Sequence, residues 1–274
     1  FQGIEKMKYI TIIDIFSKSL YTIAIFIFID SESDYILVPL VSGAGYLIGT
    51  LLSLYYIFYR FKFSFLLTSY RNIRATFIDS SMFFLSRVSV SLYTTSNIFV
   101  LGLVSTTTMV GYYAVAEKLY TVIRHMYQPV VQVVYPYISK TKNIIFFKKL
   151  YPTFICLNFF AISFLYIFSE QIVELITNEN YYHSVEIFKI FLCVSCIVAP
   201  SILIGYPFLA ALGHKNDANL STVMGSLFHI LSLLVMYLLD MIDIYNIVYL
   251  LFLTESTVLI YRLYMVYKRK LFFK

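Results

Sequence analysis

From its first residue the chain alternates long apolar runs with short polar gaps. Stretches free of Asp, Glu, Lys and Arg extend over Tyr35–Tyr59, Val88–Ala116, Leu150–Ser169, Ile190–His214 and Ala218–Leu239. Each is long enough to cross ~30 Å of hydrocarbon as a helix. With the spans that carry an isolated charge, the pattern predicts eight helices, near residues 9–29, 35–58, 77–104, 111–137, 150–168, 186–212, 219–239 and 245–266. The ~10-residue alternating segments of a membrane barrel are absent. The expected fold class is an all-α polytopic membrane protein.

Composition agrees: 60% apolar and 13% charged residues leave too little polar surface to coat a soluble globule of 274 residues. The charges then set an expected orientation. Fifteen of the 21 Lys and Arg fall in alternate gaps: Lys6 and Lys8; Arg60, Lys62, Arg71 and Arg74; Lys140, Lys142, Lys148 and Lys149; Lys215; and Lys268, Arg269, Lys270 and Lys274. The other gaps carry Asp30, Glu32 and Asp34; Glu170, Glu174 and Glu179; Asp240 and Asp243. The positive-inside rule makes the basic gaps cytoplasmic and puts both ends, the C-terminus included, on that side. The net charge of +6 therefore reads as topology and anionic lipid, with no nucleic-acid partner expected. Phe1 comes first with no signal-peptide pattern behind it, so the chain is expected to be the C-terminal part of a longer protein.

Several short motifs carry little. Cys193 and Cys196 have CxxC spacing inside an apolar helix with no second ligand pair, so they read as packing residues and no metal site is expected. Gly43, Gly45 and Gly49 miss the nucleotide-loop spacing, whereas Gly45 and Gly49 make a GxxxG helix contact. Asn219 and Ser221 form a glycosylation sequon at a cytoplasmic edge, where it has no use.

The charges that loops do not explain are more informative, because an ionised group at mid-bilayer costs ~2.5–3.5 kcal/mol and tends to face a partner or a wet cavity. They are Asp14, Lys18, Asp79, Arg87, Glu117, Lys118, Arg124 and Glu255, with Lys189 and Arg262 nearer the interfaces, where Arg262 is expected to snorkel. On the fourth helix Tyr113, Glu117, Tyr120, Arg124 and Tyr127 share a stripe, flanked by Lys118, Thr121, His125 and Gln128. The opposite half holds Val115, Leu119, Val122, Ile123, Met126 and Val130. Such a helix lines water or a polar solute, or else staples its neighbours. The third helix repeats the arrangement more loosely with Ser80, Arg87, Ser91 and Thr94, while Asp79 and Asn97 widen the polar sector. Asp14 and Lys18 have the i,i+4 order for mutual neutralisation. Glu255 reads either as a hydrogen-bonded carboxyl or as a proton or cation site, with Arg262 its only charged neighbour on the helix.

Prolines place the bends. Pro39 and Pro152 stand near predicted helix starts, but Pro129, Pro200 and Pro207 interrupt spans and predict kinks. The 26 Tyr, with no Trp, supply interface belts, and the stripe of Tyr113, Tyr120 and Tyr127 could stack on sugar rings.

The opening Phe1-Gln2-Gly3-Ile4-Glu5-Lys6-Met7, the stretch from Ser91 to Asn97 leading through Leu101-Gly102-Leu103, and the segment from Gly111 to Tyr120 resemble the O-antigen flippases. These belong to the multidrug, oligosaccharidyl-lipid and polysaccharide exporter superfamily. The resemblance implies a twelve-helix, two-lobe, V-shaped transporter of the bacterial inner membrane. Residues 1–70 would then be the last two helices of the N-terminal lobe and residues 71–274 a six-helix C-terminal lobe, its first two helices lining a central cavity. It also implies movement of an undecaprenyl-diphosphate-linked oligosaccharide to the periplasmic leaflet by alternating access, with other polysaccharide-assembly membrane proteins as candidate partners.

Charge then suggests that Arg87 and Arg124, helped by Lys118, attract the diphosphate, with Ser91, Thr94, Asn97, Tyr113, Tyr120, Tyr127 and Gln128 along the cavity. Glu117, Glu255 and Asp79 are candidates for coupling to H⁺ or Na⁺; no cofactor and no catalytic residue are expected. Two other readings are a drug or organic-cation antiporter of the same architecture and a membrane glycan polymerase or acyltransferase. The first would want acidic and aromatic groups in the cavity. The second would want clustered catalytic residues, whereas the longest external gap, Ser169–Ser184, offers only His183 beside carboxylates.

Overall fold

In a computed structural model, residues 1, 6–29, 31, 34, 36–64, 68–177 and 181–273 are described. Gln2 to Glu5 of the opening motif, and the charges read at Asp30, Glu32, Glu179 and Lys274, lie outside the described residues. The described chain is helical: α1 Met7–Phe28, α2 Leu37–Tyr55, α3 Tyr70–Val104, α4 Thr107–Met126, α5 Gln128–Thr141, α6 Ile144–Ile167, α7 Ser169–Ile176, α8 Tyr182–Leu203, α9 Lys215–Leu238 and α10 Ile244–Lys268. A π-helical turn, Tyr56–Arg60, extends α2, and another, Ile204–Ala210, extends α8. Among the described residues seven helices are long and apolar enough to span a membrane. The protein is an all-α, multi-pass membrane protein.

Two compact units divide the chain, residues 1–72 and 73–274. In the first, α1 and α2 pack directly because glycine lets their backbones approach. A Cβ at Gly45 would lie 2.8 Å from Tyr21 Cβ, and one at Gly49 would collide with Ser17 Oγ. The GxxxG contact is thus real, while Gly43 faces nothing within 4 Å. Asp14 and Lys18 pair at 2.8 Å on the exposed face, as their spacing predicts.

In the second unit α8 is central, packed on α4, α6, α7 and α10, with α9 against α10. This explains why α8 is the most apolar of the spans and has most of its residues buried: a helix packed among helices keeps little face for solvent.

Three expectations need correction. The fourth predicted helix is two helices: Pro129 cannot donate to the carbonyl of His125, so the chain tightens to a Tyr127 N–Arg124 O bond of 3.2 Å and restarts at Gln128. The next helix begins at Ile144, capped by Asn143 Oδ1 on Phe146 N (2.9 Å), which leaves Pro152 inside it rather than at its start. The third concerns Arg262, which is 6% exposed and does not snorkel. It donates to Ser201 O (2.7 Å), Ser201 Oγ (2.9 Å) and Ser221 Oγ (2.9 Å). Its guanidinium fits beside Gly205, whose ψ of −105° marks the kink before Pro207 and where a Cβ would stand 3.0 Å from Arg262 Cζ.

Candidate functional site

A cavity of about 400 Å³ lies between α3 and α4, with Leu251 of α10 contributing. From α4 and the start of α5 come Glu117, Tyr120, Thr121, Arg124, His125 and Gln128. Glu117, Thr121 and Arg124 stand at i, i+4 and i+7, which stacks them along one side of α4, and Gln128 opens α5 beyond them. From α3 come Thr94, Thr95, Asn97 and Ile98. The wall is therefore mostly hydroxyl, amide and charge, set among apolar spans.

Arg124 is half-buried there, its Cζ 5.7 Å from the centre of the Tyr120 ring. It makes neither a hydrogen bond nor an ion pair with a described residue, and Glu117, two turns away on the same stripe, has no ion pair with one either. Asn97 is 1% exposed, and its Nδ2, like the hydroxyls of Tyr113 and Tyr120, has no partner among the described residues. Asn97 and Tyr120 belong to the cavity wall although these particular atoms are buried behind it, whereas Tyr113 does not reach it.

The tyrosine stripe divides. Tyr113 (5.7 Å between ring centres) and Tyr120 (4.7 Å, nearly parallel) both pack on Phe191 of α8, and Tyr127 donates to Asn158 Oδ1 at 2.7 Å. Tyr120 alone of the three reaches the cavity wall, because the stripe points at α8 and the cavity opens beside it. On the far side Val122 and Met126 are exposed, whereas Ile123 is buried.

Other anticipated residues stand elsewhere. Arg87, Ser91 and Lys118 are exposed and do not line this cavity. Asp79 is paired with Lys215 of α9. Glu255 is buried and accepts a hydrogen bond from Tyr93 Oη at 3.0 Å, so its partner comes from α3 rather than from its own helix.

His229 was not singled out. It is fully buried on α9, its Nε2 2.8 Å from Asn97 Oδ1 and its Nδ1 2.8 Å from Thr254 Oγ1, and so it ties the cavity wall to α10. A rule flagging any ionisable residue inside an apolar run, His included, would have found it. Among the described residues no three His, Cys, Asp or Glu cluster as metal ligands, and Cys193 and Cys196 are free thiols.

Residues 1–142 match the family described as polysaccharide biosynthesis protein. Two proteins named "Putative O-antigen transporter" are similar to the chain. That of Escherichia coli (strain K12) is 29% identical over 155 residues and that of Shigella dysenteriae 27% identical over 150 residues. The alignments take in 54% and 55% of this chain but only 37% and 38% of those relatives. No solved structure matches it significantly.

Proposed function

Because the chain belongs to the polysaccharide biosynthesis protein family, we propose that it is part of an inner-membrane flippase for a polyprenyl-diphosphate-linked glycan, such as an O-antigen repeat. Residues 1–70 would close one six-helix lobe and residues 71–274 form the other, with the basic gaps and the C-terminus on the cytoplasmic side. Arg124 carries this reading, as a guanidinium on a polar cavity wall that forms no ion pair with a described carboxylate.

An arginine ~4 Å from one phosphate charge gains about 4 kcal/mol at an effective dielectric of ~20, which offsets part of the desolvation of both groups. Thr121, Gln128, Thr95 and Asn97 would hydrogen-bond the first sugars while the polyprenyl tail stays in lipid. Rocking of one lobe against the other would then expose the site to the opposite side. An inside-negative potential helps an anion outward by about 2.3 kcal/mol per charge per 100 mV. Of the coupling candidates, Glu117 faces the cavity, Glu255 lies behind it on Tyr93, and Asp79 is held by Lys215.

The test uses the full-length protein in a strain lacking its own flippase. Arg124→Ala should abolish most surface polysaccharide at unchanged membrane level, with Arg124→Lys partly active. Wild-type polysaccharide from Arg124→Ala would sink the diphosphate site. Resistance to organic cations without any glycan phenotype would instead favour a drug antiporter.

A further inference from the structure

We propose that the pocket between the first turns of α1 and the end of α2 binds a lipid phosphate group. The antiparallel hairpin brings Lys8 and Arg60, fifty-two positions apart in sequence, to the wall of one cavity of about 490 Å³. Tyr9, Tyr55, Tyr56 and Tyr59 complete most of the rest. Neither cation forms an ion pair or hydrogen bond with a described residue, and the carboxylate of Asp14 on the same helix is already taken by Lys18.

The local backbone is built for this arrangement. The helix widens over Tyr56–Arg60, where Phe61 N bonds back to Tyr56 O at 3.0 Å, and such π-helical turns re-aim side chains at the cost of a less regular ladder. The rings hold one another in place: Tyr9 lies 5.1 Å from Tyr56 and 5.1 Å from Phe61, and Tyr55 stacks on Tyr59 at 5.2 Å. Two cations and four phenols, with no acidic side chain among the described residues of the wall, select an anion. The exposed apolar surface of α1 and α2, including Ile12, Ile15 and Leu51, selects one that carries an acyl or prenyl tail. Charge patterning sets this end at the cytoplasmic leaflet, where anionic headgroups concentrate. Two lipids share the chemistry, an anionic phospholipid of the bilayer and a polyprenyl phosphate.

The full-length protein is placed in nanodiscs of phosphatidylcholine with either phosphatidylglycerol or a polyprenyl phosphate, and lipid retained after release is counted by native mass spectrometry. Lys8→Gln and Arg60→Gln should each lower retention about fivefold, and together about twenty-five-fold. Lys148→Gln/Lys149→Gln, which removes equal charge elsewhere, should leave it unchanged, and Lys8→Arg/Arg60→Lys should restore it. Loss confined to phosphatidylglycerol identifies bilayer lipid; loss confined to the polyprenyl phosphate identifies a carrier lipid. Equal retention by the double Gln variant and the wild type, or equal loss in the Lys148/Lys149 control, overturns the proposal.

Discussion

Arg124 and Arg262 both sit inside the second unit, on α4 and α10, yet their surroundings are opposite. Arg262 is sealed at 6% exposure against the α8 kink, with serine oxygens on its Nε and Nη1. Arg124 borders an open volume, with the Tyr120 ring beside it and no hydrogen bond to a described residue. A cation whose donors are satisfied by the fold stabilises that fold, whereas one whose donors are free has binding capacity left for a ligand.

The sharpest way to break this contrast is to truncate both arginines. Arg262→Ala should cost about 2–5 kcal/mol, since it leaves a cavity and unpaired serine oxygens beside a kinked backbone, and thermal unfolding in detergent would read it. Arg124→Ala should shift stability by less than about 1 kcal/mol but lower surface polysaccharide in the complemented strain roughly tenfold to a hundredfold, the value of a charge-assisted contact. If the two variants exchange these phenotypes, the assignment of roles is wrong.

Smaller changes sharpen the picture. Gly205→Ala presses a methyl onto the Arg262 guanidinium and should destabilise by about 1–3 kcal/mol, again by thermal unfolding. Tyr127→Phe removes the bond to Asn158 and should cost about 1 kcal/mol with transport retained, in keeping with a packing role. Finally, cysteines placed at 121 and 124 in intact cells should react with water-soluble thiol reagents, while those at 113 and 116 stay protected. Protection at all four positions would mean that α4 borders no aqueous space.

How far the sequence reached differs by element. Seven of the eight predicted spans, all but the fourth, the Gly45–Gly49 contact and the Asp14–Lys18 pair were legible because each depends on local periodicity or composition. The break at Tyr127 was half legible: Pro129 predicted a bend, but not that the helix would stop and restart. The tyrosine stripe shows the limit. Periodicity put Tyr113 and Tyr120 on one side of α4 correctly, but the ring they pack on, Phe191, is more than seventy residues away in the chain, and Tyr127, just past the end of α4, bonds to Asn158 instead. Glu255 and His229 found their partners, Tyr93 and Asn97, across similar or greater separations.

Charge and hydropathy by themselves determined that this protein is a multi-pass helical membrane protein, because lipid admits only helices whose side chains suit it. Which polar groups face the cavity, which are locked by serine or tyrosine, and which remain open was decided only when the helices packed. A face of a helix acquires its meaning from what lies against it, and that neighbour is set by tertiary contacts that no periodicity records.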